Sequence, residues 1–149
     1  MTRFLLIVHV LAAIIAIGPV TVAASMFPAA ARGVIAAPDD ERGQAVLRNL
    51  HRVCRVYAIA GVVVPVFGIA TAGSLGVLGE PWLIVSMLLT AGAAAVLAAL
   101  VLPRQSAILA APARIADTKR LAMYTGVFNL LWATVTVLMI VRPGSTTSA

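Results

Sequence analysis

Four long apolar runs, separated by short segments that hold most of the charge, organise this sequence. The first covers residues 4–27. At about 1.5 Å of rise per residue, a helix of that length exceeds the roughly 30 Å hydrocarbon core of a bilayer. Comparable runs cover residues 53–76, 82–102 and 118–141. They predict an all-α, polytopic membrane protein: a single domain over residues 1–149, folded as a four-transmembrane-helix bundle of two hairpins. The segments 28–52 and 103–117 become loops on one side of the membrane. Ala23, Ala24 and Ser25 are small enough for a signal-peptide cleavage site, but the apolar run is too long for one, so it is read as a retained helix.

Proline, glycine and acidic residues punctuate the runs. Pro28 is expected to break the first helix, and Pro38 to close an Ala-rich linker. Asp39 or Asp40 can then accept hydrogen bonds from the free N–H groups of a second helix. That helix begins as an amphipathic ridge, with Val46, Leu50, Val53 and Tyr57 on one face and Arg48, Arg52 and Arg55 on another. It enters the bilayer near Val53 and bends near Pro65. Gly76, Gly79, Glu80 and Pro81 predict a tight turn, which leaves Trp82 at the membrane interface. In the third run, Ala91-Gly92-Ala93-Ala94-Ala95 offers little side-chain bulk, so this helix is expected to pack most tightly. Pro103 ends it, a second Ala-rich linker runs to Pro112, and Asp117 caps the fourth helix. The two halves echo each other: Pro28, Ala36-Ala37-Pro38 and Tyr57 match Pro103, Ala110-Ala111-Pro112 and Tyr124.

Composition agrees with this pattern, since 62% hydrophobic and 11% charged residues do not suit a water-soluble domain. The net charge of +6 does not imply nucleic acid, because nine of the eleven basic residues lie in the two loop regions and at their borders with the spans. Only Arg3 and Arg142 fall on the opposite side. The positive-inside bias therefore predicts a cell (cytoplasmic) membrane protein with both basic loops in the cytoplasm and both termini outside. Arg48, Arg52 and Arg55 are expected to anchor to anionic lipid headgroups. One cysteine, Cys54, excludes an intramolecular disulfide.

Polar side chains inside the bilayer are the candidates for chemistry. Thr125, Asn129, Trp132 and Thr136 fall on one face of the fourth helix, which is expected to point into the bundle. Hydrogen bonding between helices accounts for them most simply; a transport path is the functional alternative. His9 lies inside the first span and, by depth alone, can be matched with Met87 as an axial pair for haem. A bis-histidine haem is not expected, because His51 lies before the second span, on the far side of the membrane from His9. His51 and Cys54 share a helix face, but no third ligand is placed to complete a metal site, and no metal is expected. No catalytic residue is assigned, because no nucleophile motif, phosphate loop or paired intramembrane carboxylates are present.

The chain also resembles the bacterial integral membrane proteins grouped as domain of unknown function 2269. The likeness runs through the Phe4-Leu5-Leu6-Ile7-Val8-His9-Val10-Leu11-Ala12-Ala13 stretch with Gly18, then Arg52, Arg55, Gly61, Pro65 and Thr71-Ala72-Gly73, and ends at Leu138-Met139-Ile140-Val141-Arg142-Pro143-Gly144. It implies a four-helix membrane fold without an assigned activity. The first helix alone looks like that of copper-resistance D type proteins and membrane-bound protoporphyrinogen oxidases, which would make His9 a haem or metal ligand. Unlike them, this chain has no intramembrane lysine and no second membrane histidine. The leading expectation is a helix-packing or self-associating membrane protein, in contact with lipid and with a second copy or a larger membrane complex. A haem- or metal-linked redox protein using His9 and a small-molecule transporter are the alternatives. No cofactor is expected under the leading reading.

Overall fold

The computed structural model describes residues 1–145, in which every regular element is helical. Helix α1 is Thr2–Ala36. Helices α2 (Glu41–Ala60) and α3 (Val63–Leu75) follow one line with a break at Gly61 and Val62. Helix α4 (Pro81–Ala95) passes through a π-helical segment (Val96–Val101) into α5 (Leu102–Ala110). Helix α6 is Ile115–Val141. The four resulting rods, Thr2–Ala36, Glu41–Leu75, Pro81–Ala110 and Ile115–Val141, are each long and apolar enough to cross a membrane. The all-α four-helix architecture read from the sequence is therefore the observed one.

Two prolines expected to end helices do not. Helix α1 contains Pro19 and Pro28 and stops only at Ala36. Proline removes one backbone bond per site, but Phe27, Pro28 and Ala31 are all buried, so packing on both sides of the missing bond holds the helix on course. Pro103 is likewise followed by helix to Ala110. There the Leu102 N–H bonds to the Leu97 carbonyl, one residue further back than in an α-helix. The wider turn relieves the clash that the Pro103 ring would otherwise make with the preceding turn. The segments read as Ala-rich linkers are thus helical extensions, and Pro38 and Pro112 lie just beyond their ends.

The remaining signals act nearly where expected. Asp40 caps α2, its carboxylate accepting from the Arg42 N–H at 3.1 Å. Asp117 acts from inside α6, in the first turn, and reaches back to accept from the Arg114 N–H at 3.0 Å. Near the expected bend the helix is interrupted at Gly61 and Val62, which places Pro65 in the first turn of α3, where its missing N–H leaves no gap. Gly76 closes α3 with a left-handed φ of 70°, and the Val77 N–H bonds back to the Ala72 carbonyl at 3.1 Å.

Helix α1 is the hub: it packs on α2, α3 and α6, whereas α4 packs on α6. Its buried Ala16, Val20, Ala23, Ala24, Phe27 and Ala31 form one stripe at helical spacing. Close packing therefore falls to α1 rather than to α4, whose Ala91, Ala94 and Ala95 are exposed and only Ala93 of that run is buried. The main core joins this stripe to Leu47 and Cys54 of α2, Leu97 and Val101 of the π segment, and Leu121 and Phe128 of α6. A smaller cluster of Ala72, Trp82 and Leu83 lies apart, with Met139 against it. Trp82 is thus enclosed, with the Arg142 guanidinium 5.6 Å from its ring centre. Outward faces carry large apolar chains such as Ile59, Leu130 and Ile140, each more than 70% exposed, which only an apolar solvent makes tolerable.

Candidate functional site

The polar groups gather in three places, all along the faces where α1, α2, α5 and α6 meet their neighbours. At His9 of α1, Nδ1 lies 2.9 Å from the Val64 carbonyl of α3. A carbonyl oxygen only accepts, so Nδ1 carries a proton, and in the neutral form of the ring Nε2 holds the lone pair. The ring rests on Gly68, where a Cβ would fall 2.9 Å from His9 Cε1. Ring and tautomer are thus set by Val64 and Gly68 of α3, which packs on α1. Chemically, this leaves Nε2 as one nitrogen able to accept a proton or bind a Lewis acid. Met87, the expected axial partner, is 41% exposed on α4, a helix that packs on α6. Thr71 of α3 bonds within its own helix to the Phe67 carbonyl at 2.7 Å.

The polar stripe of α6 divides. Asn129 reaches across to α1, its Nδ2 donating to Ser25 Oγ at 3.1 Å. Asn129 Oδ1 and Thr125 Oγ1 are buried and have no hydrogen-bond partner. Both residues line a cavity of about 250 Å³ between α1 and α6, which Ser25, Ala29, Arg32 and Gly126 help to enclose. Trp132 is half-buried, meets Phe128 edge to face at 6.4 Å, and leaves Nε1 unpartnered. Thr136 is exposed and its hydroxyl donates to the Trp132 carbonyl of its own helix. The structure therefore brings Thr125 and Asn129 to one site, leaves Trp132 against the core, and turns Thr136 outward. Sequence spacing missed Ser25 and Arg32, since Pro28 was expected to end α1 between them.

A third group was not visible as a group in the sequence. His51 Nδ1 donates to Gln105 Oε1 at 2.9 Å, while Gln105 Nε2 donates to Cys54 Sγ at 3.6 Å. Ser106 Oγ lies 3.3 Å from His51 Nε2, whose lone pair accepts from the hydroxyl. Gln105 and Cys54 are fully buried, and His51 is 9% exposed. Gln105 enters the core only because α5 continues past Pro103. Unbroken helical spacing through that proline is the signal that could have placed it. The network satisfies both ring nitrogens of His51, and no group of three or more His, Cys, Asp or Glu able to hold a metal occurs among the described residues. Nearby, the Arg104 guanidinium lies 4.6 Å from the Tyr124 ring centre, a cation–π contact between α5 and α6.

Arg48, Arg52 and Arg55 are all exposed on α2, while Leu47, His51 and Cys54 form its buried face. The buried stripe is rotated from the expected one: Val46 is exposed, and Leu50, Val53 and Tyr57 flank the core. The only ion pair among the described residues is Arg114–Asp117 at 3.7 Å. The three arginines therefore have no carboxylate partner there. Comparison with family models, with curated proteins and with solved structures returned no match to this chain.

Proposed function

We propose that the chain is a multi-pass protein of the bacterial cell membrane, with both termini outside, that acts as a helix-packing subunit and associates with a second copy of itself through its third rod. The carrying observation is a face of the third rod left uncovered: Ala91, Ala94 and Ala95 of α4 and Ala98 of the π-helical segment are exposed at successive turns, whereas Ile59, Leu130 and Ile140 elsewhere on the outward surface are large. Lipid tails are as apolar as leucine, so helices in a bilayer associate by close backbone approach rather than by hydrophobic burial. Alanines in successive turns permit that approach. Copies in one membrane share an orientation, so the face would meet itself across a two-fold axis along the membrane normal. The distribution of basic residues supports the orientation, and Arg48, Arg52 and Arg55 are free to meet anionic headgroups at the cytoplasmic surface.

Cysteine crosslinking in native membranes tests this reading. Ala94→Cys and Ala98→Cys should give disulfide-linked dimers, whereas Ile14→Cys, on an exposed part of α1, should not. Native Cys54 is fully buried and serves as a silent background. Adding Ala95→Leu should lower dimer formation about tenfold, the equivalent of about 1.4 kcal/mol. Monomer alone from both third-rod variants overturns the proposal, and heterologous crosslinks without self-crosslinks would redirect it to a larger complex.

A further inference from the structure

The cavity between α1 and α6 has a chemistry that self-association does not use. We propose that it binds a glycerophosphate unit: a phosphate at Arg32, a glycerol hydroxyl donating to Asn129 Oδ1, and a hydroxyl or ester oxygen against the Thr125 hydroxyl. Three observations carry this. Thr125 is 3% exposed, yet its hydroxyl has no partner, and Asn129 keeps an unpaired Oδ1 beside it. Buried polar atoms of this kind normally find a partner, and leaving them without one is costly. Both atoms belong to residues that line the same cavity. Arg32, on its rim, is exposed and has no carboxylate partner among the described residues. Its guanidinium is therefore available to an anion at the mouth of the groove.

The arrangement along the groove selects the ligand. Ser25 bonds Asn129, which sets the two antiparallel helices in register. Arg32 then lies about 10 Å from Ser25 along α1, toward the basic end of the bundle. The cation is thus at one end, and the hydrogen-bonding groups follow over the next two turns. A phosphate diester with its glycerol carbons directed inward matches that order. A guanidinium binds phosphate oxygens through paired N–H donors, and the deeper hydroxyl and amide can each donate to or accept from glycerol oxygens. A volume of about 250 Å³ holds a group of that size, at roughly 30 Å³ for each displaced water. Exposed Val22, Met26, Val127 and Leu130 flank the lining residues in sequence and offer an apolar path for an acyl chain. The unit can come from a membrane phospholipid or from free glycerol phosphate.

Phosphorus analysis and native mass spectrometry of the detergent-purified full chain test the proposal. Wild type should retain about one phospholipid, or bind added glycerol 3-phosphate. Arg32→Ala and Thr125→Val should lower that occupancy about tenfold or more, the scale of a lost charge-assisted or buried hydrogen bond. Thr125→Ser, which keeps the hydroxyl, should retain it, and so should Arg3→Ala at the exposed far end of α1. Retention of a co-purified phospholipid without response to added glycerol 3-phosphate assigns the lipid as source; the reverse assigns the soluble compound. Binding of neither, or equal loss in Arg3→Ala and Arg32→Ala, overturns the proposal and leaves a water-filled groove. Size-exclusion profiles separate a lost site from a lost fold.

Discussion

Gly68 decides whether His9 is seated or merely nearby. An alanine in an exposed helical position is favoured over glycine by up to about 1 kcal/mol. At Gly68 the added carbon would instead lie 2.9 Å from His9 Cε1 and 3.2 Å from Nδ1, so the ring must move and its bond to the Val64 carbonyl must lengthen or break. Gly68→Ala should therefore destabilise the protein in detergent, by about 1–3 kcal/mol as for other overpacked sites. Gly33→Ala, near the end of α1 with nothing within 4 Å of the new carbon, should leave the melting temperature unchanged or raise it. A rise at both positions would show that the His9 ring is free to turn. The sequence already marks His9, because an ionisable group within an apolar run stands out. Gly68 carries no such mark, since its role depends on which helix face meets α1.

At the scale of elements, caps were legible and proline effects were not. A cap at Asp39 or Asp40 is legible because an acidic residue before an amphipathic stretch has few other structural uses, and the structure selects Asp40. Asp40→Ala should cost about 0.5–2 kcal/mol through loss of its bond to the Arg42 N–H. Asp39→Ala should leave stability nearly unchanged, since α2 uses Asp40 as its N-cap. Thermal melting of the two variants distinguishes them, and equal effects would mean that the cap is shared. Pro28 and Pro103 are read locally as helix ends, yet both lie within continuous rods. The reason is energetic: one missing backbone bond is a local cost, whereas burial of Phe27 and Ala31 on α1, or of Gln105 on α5, is a gain made by neighbours that no local pattern contains. The echo between the two halves is clearer for the same reason. Each half has a helix that runs past its proline to an alanine and stops before Pro38 or Pro112.

For the whole molecule, the orientation proposed above makes a direct prediction. Alkaline phosphatase fused after residue 79 or after residue 145 should be active, and a fluorescent protein fused after residue 111 should fluoresce. The opposite pattern would reverse the placement of the termini, because these reporters work on opposite sides of the membrane. The sequence by itself determined the number of helices, their membrane-scale length and their punctuation at Asp39 or Asp40 and at Gly76, because apolar run length and capping chemistry are local properties. It also marked His9, Thr125 and Asn129 as groups needing partners. Only the tertiary structure decided which partners they have. It made α1 the packing hub, carried α1 and α5 past their prolines, and joined His51 to Gln105 and Ser25 to Asn129. The physical reason is that a helix exposes several faces to its neighbours, and the face that is buried depends on packing among residues far apart in the chain.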